Sequence, residues 1–139
     1  RNETVKITNA DQYNDYYGTV ITQDSALLKG GDKTYKWGIT NNKPQSMATL
    51  GCYLLPQGKY TKFTASTYVD EDVKADLVLD IRKDTFNGPV LKSYTLVPGE
   101  TVNIEADITG VSKLYITTEV KTNHETVNKF IIGEPVFMN

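Results

Sequence analysis

Apolar and polar positions alternate with a period of two along most of this chain. In ADLVLDIRK, Leu77, Leu79 and Ile81 fall on one side, and Asp76, Asp80 and Arg82 on the other. ETVNIEAD sets Val102, Ile104 and Ala106 against Thr101, Asn103 and Glu105, and KLYITTEVK sets Leu114, Ile116 and Val120 against Tyr115, Thr117, Glu119 and Lys121. KYTKFTASTYV alternates Phe63, Ala65 and Val69 with Tyr60, Lys62, Thr64 and Ser66. Half-buried antiparallel strands produce this pattern, because successive side chains leave a pleat on opposite faces.

Turn chemistry separates these runs at short intervals: KGGD at 29–32, PQGK at 56–59, FNGP at 86–89, VPGE at 97–100 and Thr109-Gly110. Gly and Asn tolerate positive φ there, and Pro presets a turn corner. No stretch of ten residues carries a helical stripe, and DEDVKAD supports one turn at most. Many short strands with this punctuation predict an all-β fold, an antiparallel β-sandwich with jelly-roll-like wiring. With no linker, low-complexity tract or internal repeat, residues 1–139 read as a single module.

Composition adds limits. The 139 residues are 39% hydrophobic and 23% charged, with a formal net charge of −2, enough chain for one core without staples. Such a surface does not attract nucleic acid or an anionic membrane, and no run of eighteen apolar residues is present to insert into a bilayer. The chain begins at Arg1, which leads us to expect a module cut from a larger, secreted or cell-surface protein with covalently linked neighbouring domains. The one cysteine, Cys52, excludes an internal disulfide and a Cys-based zinc cluster; lying in the apolar run TLGCYLL, it reads as buried and inert.

Catalytic chemistry finds little material. The single histidine, His124, lies in the polar stretch KTNHETVN, and a nucleophilic triad or transition-metal site has no further His or Cys to draw on. No Gly-rich phosphate loop is present. YVDEDVKAD gathers Asp70, Glu71, Asp72 and Asp76. Such a run serves as a soluble turn, as the carboxylate pair of a glycosidase, or as oxygen ligands for a structural Ca²⁺, although its spacing does not match an EF-hand loop.

Aromatic and amide residues are better represented. Nine tyrosines, four phenylalanines and one tryptophan are present, several in polar surroundings: Tyr13, Tyr16 and Tyr17 in DQYNDYYG, and Tyr35 and Trp37 in YKWGITNNKPQS. A sugar presents an apolar C–H face with a fringe of hydroxyls, so its site needs an aromatic face beside amides or carboxylates. Both stretches offer that mixture, though tyrosine is also an ordinary strand residue with a buried body and a wet hydroxyl.

From Gly18 onward the motif order GTVITQDS, KGGDKTYKWGITNNKPQS, CYLLPQGKYTKFTASTYVDED and ADITGVSKL resembles the NPCBM family. These are carbohydrate-binding β-sandwich modules often appended to glycoside hydrolases and bacterial surface proteins. The similarity covers residues 17 to 137. Gly38, Ile39 and Ser46 match one family segment, whereas Thr40 stands at its second glycine and Asn42 at its histidine, with about two extra residues before Ser46. HETVNKFIIGEPVF lacks a tryptophan that relatives often carry, with Phe130 as its counterpart. The resemblance implies a β-sandwich, a non-catalytic role and a carbohydrate ligand (polysaccharide or glycan) held where loops converge. It selects Tyr16, Tyr17, Trp37, Asn41, Asn42, Asn123 and His124 as the candidate site, with an aromatic ring under the sugar and amides on its hydroxyls. The competing reading is a structural or protein-interaction module of a bacterial surface protein without sugar binding.

Overall fold

A computed structural model describes residues 3–45, 49–120 and 126–139 and places two antiparallel sheets face to face. The first runs in the order β11 (Thr101–Asp107), β8 (Lys62–Val69), β13 (Phe130–Met138), β6 (Gly38–Asn41) and β3 (Thr19–Thr22), with β1 (Thr4–Lys6) paired to the far half of β13. The second runs β10 (Val90–Leu96), β9 (Leu77–Lys83), β12 (Leu114–Val120), β7 (Thr49–Leu54) and β2 (Tyr13–Tyr17). A short hairpin, β4 (Lys29–Gly30) and β5 (Lys33–Thr34), stands apart from both. The architecture is the expected antiparallel β-sandwich.

The alternation in the sequence becomes the two faces of each sheet. Leu77, Leu79, Ile81, Leu114, Ile116, Cys52 and Leu54 point inward from the second sheet and meet Phe63, Ile104, Ala106, Phe130, Ile132 and Phe137 of the first in one core. Cys52 is fully buried, and loss of hydration pushes its thiol well above the usual range. The anticipated turns carry positive φ at Gly58, Gly99 and Gly110. The open edge of β11 is blunted where β10 crosses it. There the Tyr94 hydroxyl donates to the Glu105 carbonyl at 2.9 Å and accepts from the Glu105 N–H at 3.0 Å, occupying groups that an unpaired edge would offer to another chain.

Strand β13 carries the main irregularity. Its register with β8 shifts between Gly133 and Val136, and Glu134 inside the bulge has φ +50°. The preceding strap, residues 24–36, lies on this point. Asp24 caps the 3-10 turn Ser25–Leu28, and Leu28, Tyr35, Tyr68 and Ile131 form a second small core on the outer side of the first sheet. Tyr35 lies against Gly133 so closely that a Cβ there would stand 2.5 Å from the ring. Its hydroxyl pairs with Ser66 Oγ at 2.8 Å.

Gly133→Ala should force the Tyr35 ring off its seat and cost about 1–3 kcal/mol, the usual range for overpacking. Urea denaturation would measure this; a loss below about 0.5 kcal/mol would mean that the strap is not seated on β13.

Candidate functional site

The outward face of the second sheet gathers tyrosines. Pairing sets Asn14 opposite Tyr53, Tyr53 opposite Tyr115, and Tyr115 opposite Arg82, a row crossing four strands. All four lie on the face opposite the inward Cys52, Ile116 and Ile81. The register of β2 against β7 shifts between Asp15 and Tyr17. A bulge of this kind places an extra residue on one strand and re-aims its side chains; here Tyr16 and Tyr17 are each 44% exposed.

The Tyr16 ring meets Tyr115 edge-on, with centroids 4.9 Å apart and planes at 85°, and Tyr53 at 6.0 Å and 83°. Tyr53 and Tyr115 are 4.8 Å apart and tilted by 50°. The two Tyr16 contacts are the edge-to-face arrangement that aromatic quadrupoles favour. Gly51 keeps the floor flat: a Cβ there would come 3.0 Å from the Thr117 methyl and 3.4 Å from the Tyr16 ring.

Polar groups surround the rings. Lys113 Nζ lies 5.8 Å from the Tyr53 centroid, within cation–π range. Arg82 donates to the Gly88 carbonyl at 2.9 Å and lies 3.4 Å from Asp80, whose other oxygen accepts from Ser93 Oγ at 2.7 Å. Burial foremost, then the hydrogen bond to Tyr16, raises the Tyr115 hydroxyl above the ordinary phenol range. At neutral pH it is an O–H donor with an acceptor lone pair, not a charge.

The bulge is pinned from within. Asp15 accepts from the Thr19 N–H and from Thr19 Oγ1, both at 3.0 Å, while the Tyr13 hydroxyl pairs with Thr19 Oγ1 at 2.6 Å. The exposed ring of Tyr16 therefore projects from a rigid base, and a ligand meets a surface whose ordering cost has already been met in folding.

Among the described residues, those singled out from the sequence do not converge as one cluster. Tyr16, Tyr17 and Asn42 share a corner: Asn42 is exposed, and its N–H donates to the Gly18 carbonyl at 3.0 Å, beside Tyr17. Asn41, expected to face a ligand, is turned inward and only 7% exposed. Its Nδ2 donates to the carbonyls of Lys43 and Asn128, both at 3.0 Å, and its Oδ1 accepts from the Phe130 N–H at 2.8 Å. Its amide clamps the loop after β6 to the start of β13.

Trp37 lies at the opposite end of β6, about 13 Å from Asn41 along an extended strand. Its indole N–H donates to the Pro135 carbonyl at 3.0 Å, its own carbonyl accepts from the Glu134 N–H at 3.0 Å, and Lys6 Nζ sits 4.8 Å over its ring. The expected gathering of Trp37 with the tyrosines at one loop end is corrected by this placement, because the β13 bulge holds the indole. Asn123 and His124 lie outside the described residues.

In the acidic run, Asp70 is raised above the usual carboxylate range by burial first and then by Asp72, while Asp72 accepts from Asn128 Nδ2 at 2.8 Å. Among the described residues no group of three or more His, Cys, Asp or Glu is placed to hold a metal. Tyr53, Tyr115 and Arg82 escape sequence reading: each is visible as an outward strand position, but nothing local says that β7, β12 and β9 are neighbours in that register.

No protein-family model and no curated protein matches the sequence. Solved structures do match in fold. The M60 catalytic domain with the CBM51-1 and CBM51-2 domains from Clostridium perfringens ZmpB aligns over 99% of this chain with a TM-score of 0.68 at 13% identity. This chain spans only 15% of that one. CBM51 from Clostridium perfringens GH95, solved in complex with methyl-galactose, aligns over 97% of this chain and 99% of its own, with a TM-score of 0.64 at 14% identity. Caldicellulosiruptor saccharolyticus CBM27-1, solved in complex with mannohexaose, aligns over 96% of both chains with a TM-score of 0.62 at 8% identity. The fold is that of the β-sandwich carbohydrate-binding modules.

The two neighbouring asparagines provide a direct check on this geometry. Asn41→Ala strands several buried backbone groups and should cost about 2–4 kcal/mol, whereas Asn42→Ala should stay within about 0.5 kcal/mol. Equal losses in chemical denaturation would contradict the inward placement of Asn41.

Proposed function

We propose that the protein is a non-catalytic carbohydrate-binding module, and that its ligand lies on the tyrosine platform of the second sheet. The observation that carries this reading is the exposed Tyr16 ring, braced edge-on by Tyr53 and Tyr115 and surrounded by polar groups. A pyranose laid on that ring covers apolar C–H surface, and its hydroxyls meet the phenols of Tyr16 and Tyr53, the Asn14 amide and the Arg82–Asp80–Ser93 network, with Tyr115 buried beneath as support. Tyr17 and Asn42 extend the same corner as a rim. These two and Tyr16 are the sequence-selected residues retained here, while Trp37 and Asn41 serve the scaffold.

Three features support the proposal. Chains with this fold have been solved with methyl-galactose and with mannohexaose. The platform lies on the outer face of a sheet with Tyr16 and Tyr17 each 44% exposed, which suits an extended or terminal glycan better than an enclosed small molecule. A fixed aromatic surface also loses little side-chain entropy on binding. We further propose that the module belongs to the NPCBM type and works within a larger secreted or surface-attached bacterial protein, where tethering raises the effective concentration of its neighbours at the glycan.

Affinity electrophoresis through gels containing galactan, mannan or xylan tests this reading. One of these neutral polysaccharides should retard the wild-type protein. Tyr16→Ala should weaken the interaction about tenfold, or about 1.4 kcal/mol, and Trp37→Ala, where folded, should leave it within about twofold. Unretarded migration through every glycan, or retardation insensitive to Tyr16→Ala, would refute the assignment.

A further inference from the structure

The sandwich has a recessed surface on the face opposite the tyrosine platform. A groove of about 490 Å³ runs over the outer side of the first sheet, within the range of about 300–1,000 Å³ usual for ligand pockets. Its floor comes from outward positions of β8 and β11, where Thr64 pairs with Glu105 and Ser66 with Asn103. The strap raises one wall, formed by Tyr35 and Lys33.

The lining selects by chemistry. Ala65 and Ile104 are buried beneath the floor, and Tyr35 is held against Gly133 with its hydroxyl on Ser66, so no exposed apolar side chain lies along the groove to receive a hydrophobic ligand. Glu105 and Glu134 against Lys33 leave the groove's lining at a formal charge of −1, which opposes an anion. The exposed Asn103 amide makes no hydrogen bond with the described residues, and Glu105 meets only Lys62 through its side chain, in an exposed ion pair at 3.4 Å. Asn103 is available to bond a ligand, and Glu105 can do so by sharing or giving up an exposed ion pair. Hydroxyl, amide and carboxylate groups in short repeat suit a neutral, polyhydroxylated ligand.

Backbone geometry points to the same place. Glu134, on the groove wall, holds the left-handed φ of +50° within the β13 bulge, with its Oε2 accepting from the Lys36 N–H at 3.0 Å. Non-glycine residues in this region recur at ligand clamps, and bulges at sites where a strand re-aims a side chain.

We propose that this groove is a second glycan-binding site, distinct from the tyrosine platform and relying on hydrogen bonds instead of an aromatic face. This inference rests on the carbohydrate-binding reading above. The two surfaces are the outer faces of sheets about 10 Å apart and look in opposite directions. A single sugar unit cannot contact both; two glycan chains, or two branches of one, can be bridged. The module would thereby cross-link its ligand and bind a dense glycan more tightly than either site alone.

Amide chemical-shift mapping of isotope-labelled protein titrated with methyl-galactose, N-acetylglucosamine and mannohexaose tests this. The proposal expects two separate sets of perturbed amides, one around Tyr16, Tyr53 and Tyr115, the other around Ser66, Asn103, Glu105 and Gly133. Asn103→Ala combined with Glu105→Gln should raise the Kd read from the groove set about tenfold and leave the platform set unchanged. Tyr16→Ala should do the reverse. Sugars that move the platform amides but never the groove amides would overturn the second site while sparing the proposed function. Sugars that move neither set would overturn both.

Discussion

The bulge in β13 is the constraint on which the rest of the structure depends. A nine-residue strand pairs with β8 along one side and with β6 and then β1 along the other, and its register with β8 shifts where the second side passes from β6 to β1. The break falls at Gly133–Val136, where the carbonyls and N–H groups freed from the ladder need partners. Pro135 receives the Ile7 N–H and the Trp37 indole N–H, and Glu134 donates to Trp37. Gly133, lacking a Cβ, admits Tyr35 and with it the whole strap. One irregular step thus explains where the tryptophan, the first strand and the second small core go.

The same division between inward and outward positions gives the sandwich two chemically different exteriors. Across the second sheet, outward tyrosines from β2, β7 and β12 fall side by side, and a bulge in β2 leaves Tyr16 exposed above them. Across the first sheet, Thr64, Ser66, Asn103 and Glu105 give β8 and β11 a polar outward stretch, and the strap walls it into a groove. Both surfaces rest on a core whose packing fixes them, so ligand recognition on either would need no large rearrangement.

Much of this architecture is legible in the amino-acid sequence because it depends on local rules. The alternation of Leu77, Leu79 and Ile81 with charged neighbours, and the Gly-containing turns at 58, 99 and 110, need no knowledge of partners. The proposed binding surface is less legible because it is assembled across strands distant in sequence: Tyr53 and Tyr115 become neighbours only through the β7–β12 register. Asn41 and Asn42 show the limit sharply. They are adjacent and chemically identical, yet one closes a buried loop and the other faces solvent, and only the path of β13 decides which. Trp37 shows the same limit: its neighbours in sequence do not place it, because its indole N–H satisfies a carbonyl freed by a bulge 98 residues away in the chain.

The central claim is that Tyr16, braced by Tyr53 and Tyr115, is the surface on which a sugar lies. Saturation-transfer NMR tests it most directly: tyrosine ring protons are irradiated in the presence of a binding glycan, and the gain is read on the sugar. Transfer concentrated on the C–H protons of one sugar face, and largely lost in Tyr16→Ala, is the predicted result. A glycan that binds while receiving no saturation from tyrosine, or receiving it undiminished in Tyr16→Ala, would contradict the account.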